Sequence, residues 1–172
     1  DYTNFDGLRA WPVVEIKNMV FRNIRFTGNF VMNNLEVVND FEFEQSFFDG
    51  IFEGIKIKSI GGYAFLYSNF SGSLNLPVCV EIRDYAFRNS KFTGNLDLPV
   101  CEQIGDYAFS DSNFTGSLDL PVCEYIGQKA FLYSNFSGEL NLPVCEYISD
   151  DAFQNSNFSG SLDLPVCEYI GD

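Results

Sequence analysis

A stacked-repeat solenoid is the fold class this sequence predicts, and three observations carry the prediction. The first is a unit, LDLPVCEQIGDYAFSDSNFTGS from Leu96. It recurs as LDLPVCEYIGQKAFLYSNFSGE from Leu118 and LNLPVCEYISDDAFQNSNFSGS from Leu140, at a period of 22 residues without slippage. The second is a glycine column at the same period, Gly28, Gly50, Gly72, Gly94, Gly116, Gly138 and Gly160. The third is a pair of aromatic columns, Phe26 to Phe158 and Phe21 to Phe153, beside a branched column from Ile16 to Ile170. Fixed-period self-similarity in this range marks units that bury their apolar faces only by stacking on neighbours.

The columns run back through the less regular start of the chain. Upstream of Ile16 the register slips by one residue, and Phe5, Gly7, Trp11 and Pro12 take the same roles. The expectation is a single array of about eight coils over residues 1–172. The pattern stops at Ile170-Gly171-Asp172, where YAF follows in other units, and no polar terminal cap is visible. Solenoids need such caps, so the array is expected to be a segment of a longer protein.

Composition narrows the function classes. At 46% hydrophobic and 17% aromatic, the chain has ample material for a packed core. Its formal net charge is −14, and from Phe92 onward thirteen carboxylates face the single cation Lys129. Nucleic acid and anionic membrane surfaces both demand a basic footprint, so neither is an expected partner. No apolar run reaches transmembrane length, so no membrane insertion is expected. There is no histidine, which removes the Ser-His-Asp and Cys-His forms of nucleophilic catalysis and the commonest metal ligand. No catalytic residue is assigned, and the expectation is a protein that is not an enzyme.

Each element of a coil has its own signal. Leu96-Asp97-Leu98 alternates apolar and polar, which predicts a very short strand with both leucines inward. Pro99 closes it, because proline cannot donate to a ladder. All six prolines fall in this column, Pro12 one residue out of register. Cys101 and Ile104 then point inward. Gly105-Asp106 opens a turn into a short helical segment capped by Asp106, with Ala108 and Phe109 on its buried side. Phe114 returns the chain to the core, and Gly116 bends the backbone into the next strand.

The order LxLPxC, then I-G-D-x-A-F, then N-F-[ST]-G resembles the BspA-like leucine-rich repeat, a short-period branch of its superfamily. The resemblance spans nearly the whole chain and rests on several columns recurring together. It implies a leucine-rich-repeat solenoid of the α/β horseshoe type, mostly β. Such a solenoid is a right-handed superhelix with a concave parallel sheet and short helical turns on the convex side. Two departures stand out. Where the family often has cysteine after the A-F pair, this chain has Ser68, Ser90, Ser112, Ser134 and Ser156. The segment after proline is also one residue shorter than in many members.

Four columns invite a functional reading. Cys79, Cys101, Cys123, Cys145 and Cys167 suggest a metal or disulfide ladder. Their odd count, the lack of CxxC spacing and the superfamily's inward Asn/Cys position instead predict a stack of buried free thiols. Asn69, Asn113, Asn135 and Asn157 each open an N-x-[ST] triplet. Glycans on neighbouring coils only about 5 Å apart would collide, so these residues read as a turn column, with occupancy at one or two sites left open. The strand's outward position holds Glu53, Asn75, Asp97, Asp119, Asn141 and Asp163, flanked by Glu139, and a further stack runs through Glu102, Glu124, Glu146 and Glu168. One reading is a solvated face that keeps the array soluble. The other is a surface for a basic or hydroxyl-rich partner, since an oppositely charged ligand relieves the repulsion of stacked carboxylates. Neither calcium-loop signature, GGxGxD or the EF-hand, is present, so no metal or other cofactor is expected.

The expected function is a non-enzymatic protein-binding or adhesion module. Its candidate contacts on the concave sheet are Glu53, Asn75, Asp97, Asp119, Glu139, Asn141 and Asp163. The alternative is a structural rod or spacer, or an assembly unit that self-associates end to end through its coil ends. The resemblance implies a cell-surface or secreted location and a host or matrix protein as partner.

Overall fold

The computed structural model describes residues 3–6, 15–22, 24–44, 47–48 and 51–172. Among them the chain forms a parallel β-solenoid of about six turns, one 22-residue unit to a turn. Every strand pairing from Glu15 onward joins residues 22 apart, so Ile60, Ile82, Ile104, Ile126, Ile148 and Ile170 stand in one row. That row belongs to a continuous eight-stranded sheet, here the isoleucine ladder. It runs from Glu15–Arg22 through Val37–Glu44, Ser59–Ile60, Glu81–Ile82, Gln103–Ile104, Tyr125–Ile126 and Tyr147–Ile148 to Tyr169–Ile170. Thr3–Asp6 lies against Ile24–Thr27 with Phe5 opposite Phe26, a step of 21 that bears out the one-residue slip. Gly7, Trp11 and Pro12 lie outside the described residues.

The strands that the leucine alternation predicts are also present, as a second ladder that is interrupted, except that Leu162-Asp163-Leu164 forms no strand. Phe30–Val31 pairs with Phe52–Glu53, Leu74–Asn75 with Leu96–Asp97, and Leu118–Asp119 with Leu140–Asn141. The unbroken sheet therefore lies on the isoleucine column, which the sequence reading treats only as inward-pointing.

Between the ladders the inside of each coil is filled by the columns read from the sequence. Phe109 is fully buried between Phe87 and Phe131, ring centroids 5.3 Å from each and planes within 8° of parallel. Phe114 meets it edge-on at 5.8 Å. Offset-stacked and edge-to-face contacts both suit the ring quadrupole, so two aromatic columns interlock along the axis. Burying each such side chain stabilises the fold by about 1.5–3 kcal/mol.

The short helical segment expected after Asp106 is absent, and no helix occurs among the described residues. Every second amide leaves the coil. Tyr85, Phe87 and Asn89 N–H donate to the carbonyls of Asp106, Ala108 and Ser110 on the next coil at 2.8–2.9 Å. The intervening Ala86, Arg88 and Ser90 donate three residues back, to Arg83, Tyr85 and Phe87. A helix keeps all these donors within one segment. The alternation places Tyr85 (φ 60°) and Asn89 (φ 56°) in the left-handed region, and Tyr107 and Asp111 repeat it. This backbone costs about 1–2 kcal/mol per residue, which the cross-coil hydrogen bonds offset. Asp106 is likewise no helix cap: its Oδ1 accepts the Gln128 N–H of the next coil at 2.8 Å.

Candidate functional site

The outward face of the leucine ladder is organised by the residue that follows the column glycine. Ser73 Oγ accepts the Asn95 N–H, and Ser117 Oγ accepts the Glu139 N–H, both at 3.0 Å. Gly72 and Gly116, which precede these serines, are left-handed at φ 81° and 83°, a conformation glycine adopts without a Cβ penalty. Gly94 and Gly138 are not left-handed but are pressed onto the serines, where an added Cβ would lie 2.9 and 2.7 Å from the Ser73 and Ser117 nitrogens. Two kinds of coil therefore alternate, and they associate in couples.

Within a couple the backbone is joined. Leu74 and Leu76 N–H donate to Asn95 and Asp97 carbonyls at 3.0 and 3.1 Å, and Leu118 and Leu120 to Glu139 and Asn141 at 2.9 and 3.1 Å. Between the couples no backbone hydrogen bond links Leu96–Leu98 to the 117–120 segment. At this open junction lies a surface recess of 460 Å³ lined by Asn95, Leu96, Asp97, Pro99, Ser117, Asp119 and Pro121.

The charges follow the same couples. Asn75 stands beside Asp97, and Asp119 beside Asn141, whose amide donates to Asp119 Oδ1 at 2.8 Å. These two couples each pair one amide with one carboxylate, and Asp97 and Asp119 are neighbours only across the open junction. Like charges on adjacent strands are destabilising, so the two exposed carboxylates repel across this junction. Asn75, Asp97, Asp119, Glu139, Asn141 and Asp163 are exposed as anticipated, whereas Glu53 is half-buried in Phe52–Glu53. Sequence reading missed the coupling itself. Its signal was the alternation Ser73, Asn95, Ser117, Glu139, Ser161 behind the glycines.

Two lysines are engaged within the chain. Lys129 lies 3.6 Å from Asp151 Oδ2, and its bond to Tyr107 raises its pKa. Lys58 pairs with Glu36 at 2.6 Å and pulls that carboxyl below its ordinary range. All five cysteines are free. Cys79, Cys101, Cys123 and Cys145 are fully buried, as the thiol-stack reading expects, while Cys167 is half-buried. Cys79 and Cys123 donate S–H to the carbonyls of Glu81 and Tyr125, and burial pushes both thiols up to about 12. In the asparagine column, Asn135 Nδ2 donates to Asn113 Oδ1 at 3.2 Å, the cross-coil ladder of a turn column. Among the described residues no group of three or more cysteine or carboxylate side chains is placed to hold a metal ion.

Stacked parallel coils with an apolar interior and a polar outward strand position define a leucine-rich-repeat solenoid. The family model of the BspA-type leucine-rich repeat region matches residues 58–171 in six copies, and the chain belongs to that family. No curated protein and no solved structure matched the chain. The family points to a protein-interaction or structural repeat module that is generally non-enzymatic and typically surface-associated. No helix among the described residues is long and apolar enough to cross a membrane.

Proposed function

We propose that this array is a protein-binding module of the adhesion type that engages its partner through the leucine-ladder face. Glu53, Asn75, Asp97, Asp119, Glu139, Asn141 and Asp163 are its contact residues. In this reading that face is the concave side of a right-handed superhelix, the array belongs to a longer secreted or cell-surface protein, and the partner is a host or matrix protein. What supports it is the open junction: two carboxylates that no neighbouring amide separates, beside a 460 Å³ recess. A basic side chain entering there replaces repulsion by a charge-assisted hydrogen bond.

The test is binding of immobilised matrix proteins by the wild type and by Asp97→Asn/Asp119→Asn/Asp163→Asn, which keeps shape and removes charge. Association is expected to slow by about tenfold with little change in dissociation, because charges at an interface act mainly on encounter. Unchanged association and unchanged salt dependence contradict the reading. If sedimentation instead shows only end-to-end self-association with no partner bound, the structural-rod reading replaces it.

A further inference from the structure

We infer a second interaction surface, on the isoleucine-ladder face, that fits a lysine- or arginine-rich polypeptide segment. It is built from the Val-Cys-Glu-Tyr segments 122–125, 144–147 and 166–169, in which the cysteine turns inward and the other three residues face outward. The register sets Tyr125, Tyr147 and Tyr169 side by side, and their rings stack at 5.5 and 4.3 Å. These rings are 37–42% exposed, and the three valines 38–48%. Exposed Glu124, Glu146 and Glu168 run beside them, with Glu102 one coil earlier. This exposed apolar aromatic stripe is bordered by a row of like charges with no cation in its segments. Its chain partners are Ser149 Oγ, which donates to the Tyr125 hydroxyl, and Asp150 Oδ1, which accepts from the Tyr169 hydroxyl, both at 3.4 Å.

Its chemistry selects among occupants. The backbone is already used: Glu124 and Tyr125 N–H both donate to Glu102 O, at 2.9 and 3.2 Å, and the next coil repeats this. A partner therefore meets side chains and not a free strand edge. The tyrosine faces cover one another, so a sugar ring, which stacks on faces, finds mostly edges. A second copy laid face to face would set glutamate row against glutamate row, and nucleic acid and anionic lipid are repelled. A lysine or arginine side chain matches every feature: its methylene stem lies along valine and tyrosine edges while its head meets a carboxylate. From Glu102 to Glu168 the row spans three coil steps, about 14 Å. That is the reach of five extended residues, whose first, third and fifth side chains share one side.

The experiment uses fluorescent Lys-Val-Lys-Val-Lys-Val-Lys and its glutamate-for-lysine counterpart, with affinity read by anisotropy. The lysine peptide is expected to bind, more weakly as salt rises, and the glutamate peptide not to bind. Glu124→Gln/Glu146→Gln/Glu168→Gln is expected to weaken the lysine peptide by about tenfold or more, as for close charge pairs at interfaces. The leucine-face variant Asp97→Asn/Asp119→Asn/Asp163→Asn is expected to leave it within about twofold, since independent sites act additively. Equal binding of the two peptides, no binding of either, or full binding by the glutamine variant overturns the inference. Loss confined to the leucine-face variant overturns it too, while supporting the site proposed above. The two proposals thus fail separately.

Discussion

Aspartate in one coil dictates glycine in the next. Asp84 Oδ1 accepts the Asp106 N–H at 2.9 Å, and Asp106 repeats this with Gln128. The clasp brings the two coils so close that a Cβ on Gly127 would lie 2.6 Å from both Asp106 N and Oδ1, and one on Gly105 2.6 Å from Asp84 N. Where the aspartate column holds Gln128 or Gly62, the following coil carries Ser149 or Arg83 in place of glycine. Gly127→Ser is therefore expected to cost about 1–3 kcal/mol, the range for overpacking. In an Asp106→Gln background the cost should fall by at least about 0.5 kcal/mol, a coupling expected of contacting residues. Urea denaturation of the double-mutant cycle measures it, and strict additivity contradicts the clasp. A second expectation concerns the buried hydroxyls of Ser68, Ser90 and Ser112, which have no hydrogen-bond partner. Ser112→Ala should raise stability by about 1 kcal/mol, the lower end of the cost of an unsatisfied buried polar group, and a melting point at or below wild type contradicts this. The aspartate–glycine coupling was hidden from a period reading because it pairs residues 21 apart, Asp84 with Gly105 and Asp106 with Gly127, whereas columns compare residues 22 apart.

The strands, turns and columns of a coil were unequally legible. Leu96-Asp97-Leu98 announces a strand through its alternation, and it is one. Gln103–Ile104 offers a single inward residue and no such signal, yet it carries the continuous sheet. The A-F pair after Asp106 mimics a helical face, and the cross-coil hydrogen bonds and left-handed Tyr107 and Asp111 rule the helix out. The phenylalanine columns were plain, because a buried aromatic every 22 residues has no cheaper explanation than stacking. Phe109→Ala is expected to cost about 3–5 kcal/mol, against under about 0.5 for the exposed Lys91→Ala. Equal melting points would place Phe109 outside the core. The thiol column makes a pH prediction. Burial raises Cys79 and Cys123 from 9.0 to about 12, so between those values the unfolded thiols ionise while the folded ones stay protonated. Their contribution is intact below pH 9 and declines as pH rises towards 12, by about 1.4 kcal/mol per unit for each thiol. The double variant Cys79→Ala/Cys123→Ala should lose less stability across that window, as denaturant midpoints on either side of pH 9 would show. Identical slopes would mean the thiols are exposed.

At the scale of the molecule, the array is a stack of coil couples and not of identical coils. The couples arise from one residue per coil, Ser73 or Ser117 against Asn95 or Glu139, and they separate Asp97 from Asp119. The site residues were legible singly as an outward column. Their grouping was not, because a serine Oγ accepting from the next coil leaves no hydropathy signal. The open junction is the central claim, since the proposed partner site depends on it, and amide hydrogen exchange tests it directly. Leu74, Leu76, Leu118 and Leu120 donate to the next coil and should exchange slowly. Leu96 and Leu98 have buried side chains but no carbonyl partner for their N–H on the 117–120 segment. Their amides should exchange faster by about tenfold or more, as expected of unprotected groups. If Leu96 and Leu98 prove as protected as Leu74 and Leu118, the leucine ladder is continuous and the junction between Asp97 and Asp119 is closed.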